Sequence, residues 1–145
     1  MTPHDDVPVA SLLLCDDSDA ERGAVARLLR SAGYDVHEAD NGRDALRFLK
    51  SHEIDLVLLD LNMPQVDGFG VLGYLQEHRR ALPVLLLSGM SPNRIQTKIH
   101  TLPSHELPPL LLKPVDPDQL LSLVELGLSG ELTVPRRDDE SPSEH

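Results

Sequence analysis

Short apolar runs punctuate the chain at residues 9–15, 54–59, 83–87 and 110–112, each too short for a helix and rich in branched side chains. Runs of that kind read as buried strands. A weaker alternation over residues 34–39 reads as a short outer strand. Between the runs the apolar positions fall at helical spacing. A first helix runs to about residue 31, with Val25, Leu28 and Leu29 inward. It is announced by the capping-box pattern Ser18-Asp19-Ala20-Glu21 and stopped by Gly33. A second follows the turn Asn41-Gly42, with Ala45, Leu46 and Leu49 inward, and a third covers roughly residues 67–80 with Phe69, Leu72 and Leu75. A short helix is expected over residues 93–100, then a loop broken by Pro103, Pro108 and Pro109. Asp116-Pro117 offers an N-cap and a proline at the first position of the last helix, which ends near residue 127.

That last helix carries Leu120, Leu121, Leu123, Val124, Leu126 and Leu128, so it is apolar on more than one face. It is either a partner surface, such as a homodimer contact, or a well-buried terminal helix; the pattern leaves both open. The order is strand then helix, repeated along the chain. Such alternation makes a parallel sheet with right-handed crossovers and helices on both faces. The fold class is α/β, doubly wound and five-stranded. One domain spans residues 9–128, preceded by a polar lead-in at 1–8. Residues 129–145 read as an acidic disordered tail with no output domain.

Composition narrows this picture. The 145 residues carry a formal net charge of −11, which argues against a nucleic-acid footprint. Aromatic residues make up only 3%, so the core must be aliphatic. The single cysteine, Cys15, lies in an apolar run; it cannot form an intrachain disulfide and reads as a small buried hydrophobe. The amino terminus lacks the features of a signal peptide, and no stretch nears the roughly 18 apolar residues of a membrane span. The expected location is the cytoplasm.

The chemistry collects at strand ends. Four of the strand ends carry a useful group: Asp16-Asp17, Asp60, Ser88 and Lys113. A strand-ending Asp alone is an ordinary turn former. In an open parallel sheet, however, all carboxyl ends share one rim, where ligands bind. Crowded carboxylates repel and raise one another's pKa unless a cation intervenes. Oxygen donors without Cys or His suit a hard ion such as Mg²⁺. With Lys113 and Ser88 beside it, such an ion suits a phosphoryl group, and Asp60 is the candidate nucleophile forming an acyl phosphate.

Taken in order, Leu13-Leu14-Cys15-Asp16-Asp17, Ala39-Asp40-Asn41-Gly42, Leu58 through Gly68 with Asp60 and Met63-Pro64 inside, Leu86-Leu87-Ser88-Gly89 and Leu112-Lys113-Pro114 carry a resemblance. The sequence resembles the receiver domain of bacterial two-component response regulators over about residues 9–128. The resemblance implies a flavodoxin-like sheet of strand order 2-1-3-4-5. It implies Asp60 as phosphoacceptor, with Mg²⁺ held by Asp17 directly, by Asp16 through water, by Asp60 and by the backbone carbonyl of Asn62. Lys113, before a cis peptide bond to Pro114, would pair with the phosphoryl oxygens. The Ser88 hydroxyl would move to bond them, and the N–H groups of Asn62 and Gly89 would complete the cradle.

The implied protein is a single-domain response regulator phosphorylated by a sensor histidine kinase or histidine phosphotransfer protein. It would act by phosphorylation-dependent binding of a downstream protein target. Its only catalysis would be self-phosphorylation and self-dephosphorylation. Two departures stand out. Leu110 occupies the place of an aromatic residue three positions before the Lys. The segment between Ser88 and Lys113 is long and proline-rich, which predicts unusual output coupling and a mobile helix over 93–100. Two rival readings are a pseudo-receiver that binds without phosphate and an aspartyl-phosphate phosphatase built on Asp17-Ser18-Asp19. The latter motif has Glu21 where Thr or Val is expected and lacks a later acidic strand end. His52, His78 and His105 read as surface residues.

Overall fold

A computed structural model gives the architecture, described for residues 9–63, 68–89, 93, 95, 99, 102–104 and 106–130. Its elements are β1 (Ser11–Cys15), α1 (Asp19–Ser31), β2 (Asp35–Ala39), α2 (Gly42–Ser51), β3 (Leu56–Asp60), α3 (Gly68–His78), β4 (Val84–Ser88), β5 (Leu110–Leu112) and α4 (Pro117–Ser129). The strands form one parallel sheet of order β2-β1-β3-β4-β5, the order that the resemblance implied.

The unbroken apolar runs have a physical reason. Successive side chains of a strand point to opposite faces, so a strand covered on both faces must be apolar throughout. Leu13, Cys15, Val57, Leu59, Val84 and Leu86 point to one face and pack with Ala45 and Leu49 of α2 and Phe69, Leu72 and Leu75 of α3. Leu12, Leu14, Leu56, Leu58, Leu85 and Leu87 point to the other and pack with Ala26 and Leu29 of α1 and Leu120 and Val124 of α4. β2 lies at the sheet edge, and its mixed exposure matches its weak alternation.

Local signals hold with some changes. The Ser18 hydroxyl caps α1 by accepting the Glu21 N–H, and Gly33 takes the left-handed φ of 100° just past the helix. The inner face of α1 differs from the expected set: Ala26 and Leu29 are buried, whereas Val25 and Leu28 are half-buried. Ala26, a small side chain, is fully buried in the cluster with Leu12, Leu14, Leu56 and Leu58 of the sheet. Likewise Ala45 and Leu49 anchor α2 while Leu46 is half-buried. Asp116 takes the N-cap position of α4 but makes no side-chain cap bond, so Pro117 alone marks that start. On α4, Leu120 and Val124 are buried, Leu121, Leu123 and Leu128 half-buried and Leu126 exposed. The helix is thus buried on one face and open on another.

Most of the expected helix over 93–100 lies outside the described residues, as do the lead-in at 1–8 and residues 131–145. Within the following segment, the Gln76 amide donates to the Glu106 carbonyl at 3.1 Å and accepts the Ser104 N–H at 3.0 Å. The proline-rich stretch is therefore tied to α3 at that point. Leu110 is half-buried against the α2/α3 face of the core.

Candidate functional site

At the carboxyl rim the sheet hydrogen bonds continue past the strands. Asp16 N–H donates to the Ala39 carbonyl, Leu61 N–H to Leu87 and Lys113 N–H to Ser88. This zippering fixes where the strand-end side chains stand. Asp16 and Ser88 are fully buried and Asp60 is 2% exposed, and these are the buried polar residues among the described ones. The register sets Asp60 beside Leu87, with Ser88 at the end of the adjacent strand.

Asp16, Asp17 and Asp60 each offer a carboxylate oxygen, and these oxygens lie within 4.8 Å of one another. Asp17 is the exposed member. Both Asp60 oxygens are engaged: Oδ1 accepts the Asn62 N–H at 2.9 Å and Oδ2 accepts from Lys113 Nζ at 3.1 Å. Asp16 is held alike, with Oδ1 on the Ser18 N–H at 2.9 Å and Oδ2 on Lys113 Nζ at 3.0 Å. Lys113 precedes a cis peptide bond to Pro114, as the resemblance implied. Gly68, which opens α3, backs against this loop: a Cβ there would overlap the backbone of Asp60 and Leu61.

The electrostatics follow from burial. Burial pushes the Asp60 carboxyl above its ordinary range, against the Asn62 N–H and the Lys113 ammonium, and the charge of Asp16 adds to the rise. Burial alone would lower the Lys113 ammonium, but its bonds to Glu21, Asp16 and Asp60 outweigh this and raise it. Burial, with Asp16 and Asp60 near, likewise raises the Cys15 thiol, which stays an inert core residue.

One lysine thus faces several carboxylates, leaving excess negative charge at a partly buried rim. Such a site favours a small, hard divalent cation, and its oxygen-only donors fit Mg²⁺ chemistry. Asp16, Asp17 and Asp60 are brought together as the sequence predicted, with Lys113 on two of them. Asn62 reaches Asp60 through its N–H, and Ser88 joins the rim through its carbonyl on the Lys113 N–H.

Sequence reasoning missed Glu21. Its carboxylate was expected to close the capping box, yet it accepts from Lys113 Nζ at 2.5 Å. The signal was present in principle: a first-turn acid on α1 at the same rim as Lys113. His52 and His78 are exposed, with the ring of His52 stacked on Phe48; His105 lies outside the described residues.

The family described as the response regulator receiver domain matches residues 12–125. Over 140 residues the chain is 31% identical to the transcriptional regulatory protein ZraR of Escherichia coli (strain K12), covering 97% of this chain and 30% of that protein. The chain therefore spans less than a third of that relative's length. A signal receiver domain of a signal transduction histidine kinase from Syntrophus aciditrophicus superposes with a TM-score of 0.76 at 27% identity, covering 89% of this chain and 97% of that one. A CheY-like response regulator receiver domain protein from Methanospirillum hungatei JF-1 also gives 0.76, at 20% identity over 86% and 97% of the two chains. At that identity the likeness is one of fold. No helix among the described residues is long and apolar enough to cross a membrane.

Proposed function

The chain belongs to the response regulator receiver domain family of two-component systems, and on that premise we propose that it is a phosphorylation switch whose acceptor is Asp60. The observation that carries this reading is the setting of Asp60. It is a buried carboxylate gripped by the Asn62 N–H and Lys113 Nζ, beside Asp16 and Asp17.

An Asp60 oxygen attacks the phosphorus of a phosphohistidine on a sensor histidine kinase or a histidine phosphotransfer protein. The phosphorus–nitrogen bond breaks and the imidazole leaves with the bonding pair, so that an acyl phosphate forms on Asp60. Lys113 supplies a positive charge to the phosphoryl oxygens, and the Asn62 and Gly89 N–H groups and the Ser88 hydroxyl supply donors. Asp16, Asp17, Asp60 and the Asn62 carbonyl would hold Mg²⁺, which would supply positive charge beside the phosphoryl oxygens. Water attack on the phosphorus breaks its bond to the Asp60 oxygen, releases inorganic phosphate and restores the carboxylate, which resets the switch.

The phosphorylated rim then alters binding of a downstream protein target in the cytoplasm. An intact aspartate, serine and lysine set favours this over a pseudo-receiver that needs no phosphate. Incubation with Mg²⁺ and acetyl phosphate, followed by intact mass, tests the reading. The wild type gains one phosphoryl mass and Asp60→Asn gains none. No gain in the wild type, with either Mg²⁺ or Mn²⁺, would overturn it.

A further inference from the structure

The Lys113 ammonium has three hydrogens, and the structure gives it three carboxylate partners: Asp16, Asp60 and Glu21. Phosphoryl recognition by Lys113 therefore requires that one of these bonds be given up. The partners are not equal. The side chains of Asp16 and Asp60 are 1% and 3% exposed, whereas that of Glu21 is 55% exposed. A buried carboxylate stripped of its cation is costly, while an exposed one returns to water cheaply. Glu21 is the replaceable partner.

Its placement is nonetheless fixed. Ser18 N–H bonds Asp16, the Ser18 hydroxyl accepts the Glu21 N–H, and the Glu21 carboxylate and Asp16 both accept from Lys113. These contacts close a ring that joins the first turn of α1 to the site. Arg22, the next residue, is occupied by Asp19 and Glu38 and does not draw Glu21 away.

We propose that Glu21 is a positioning residue that competes with the incoming phosphoryl group for Lys113 and so slows the charging of Asp60. The inference rests on the reading of Asp60 as phosphoacceptor. In the resting protein Glu21 holds the ammonium toward α1 and places one more negative charge beside an anionic donor's path. When the phosphoryl group arrives, Lys113 exchanges the Glu21 oxygen for a phosphoryl oxygen and Glu21 swings into solvent.

The test compares the wild type with Glu21→Gln and Glu21→Ala at saturating Mg²⁺, by the rate of phosphorylation with acetyl phosphate and by affinity for beryllofluoride. Neither variant removes the Glu21 N–H that Ser18 caps. Both measures rise about two- to fivefold, the scale of one half-exposed ion pair. Asp19→Asn removes the same charge from the same helical turn without touching Lys113, and it changes them less than about twofold. In the metal-free protein, Glu21→Gln shifts the urea midpoint in the wild-type background but not in Lys113→Met.

A phosphorylated wild type with Glu21→Gln equal or slower overturns this inference alone, as does Asp19→Asn matching Glu21→Gln. A chain that takes no phosphoryl group in any variant overturns the underlying reading with it.

Discussion

The two rims of one sheet handle their polar groups in opposite ways. At the amino end, Asp55 is exposed and its Oδ2 accepts the Ser11 N–H at 2.7 Å, while Ser11 Oγ reaches Asp35 at 3.4 Å. A groove of ≈ 490 Å³ lined by Asp55 and residues 78–83 opens there. At the carboxyl end, Asp16, Asp60 and Ser88 are buried, and the two carboxylates share one lysine. The first arrangement satisfies backbone donors and leaves charge in water. The second keeps charge out of water at a cost, and Asp60 stays above its ordinary pKa as a result. The groove offers space without such tension, so space alone is a poor guide to the chemistry here. Destabilised charge marks the rim proposed to carry the function.

Each variant below sharpens or breaks that contrast. Lys113→Met should have the largest effect, because it leaves Asp16 and Asp60 buried without their cation. A loss of about 3 kcal/mol in metal-free urea unfolding at neutral pH is expected, partly restored by Mg²⁺. A loss below that of an ordinary surface ion pair would mean that the rim is not under tension.

Next comes the pH dependence of Asp60→Asn. The folded state holds the Asp60 proton more tightly than the unfolded chain, so ionising Asp60 costs stability. That cost sets in as pH rises from the ordinary carboxylate range through the raised value. Without metal at neutral pH, Asp60→Asn should be the more stable protein. The gap closes in acid, and urea midpoints across pH would reveal it. The smallest effect belongs to the opposite rim. Asp55→Asn should cost about 0.5 kcal/mol through its weakened bond to Ser11, and should leave phosphorylation at the wild-type rate.

The contrast also explains what the sequence disclosed. The central strands were legible because burial on both faces forces apolar residues at every position, and each run stops where Asp16, Asp60 or Ser88 reaches the rim. With strand ends aligned by parallel pairing, the site's main acids and lysine followed from one-dimensional pattern. Glu21 did not. A Ser-x-x-Glu pattern looks the same whether the carboxylate turns back to its own helix or out to a lysine 92 positions away. Ala26 was missed because a small side chain carries little hydrophobic signal even when it is fully buried. Asp116 shows the converse, since a residue suited to capping stands at the cap position and makes no cap bond.

The measurement that bears most directly on the central claim is chemical mapping of the phosphoryl group. Protein treated with Mg²⁺ and acetyl phosphate is reduced with borohydride, which converts an aspartyl phosphate to homoserine, and is then sequenced by peptide mass spectrometry. Homoserine at position 60 alone is the expected result. Homoserine at position 16 or 17, or at none, would contradict the assignment of Asp60.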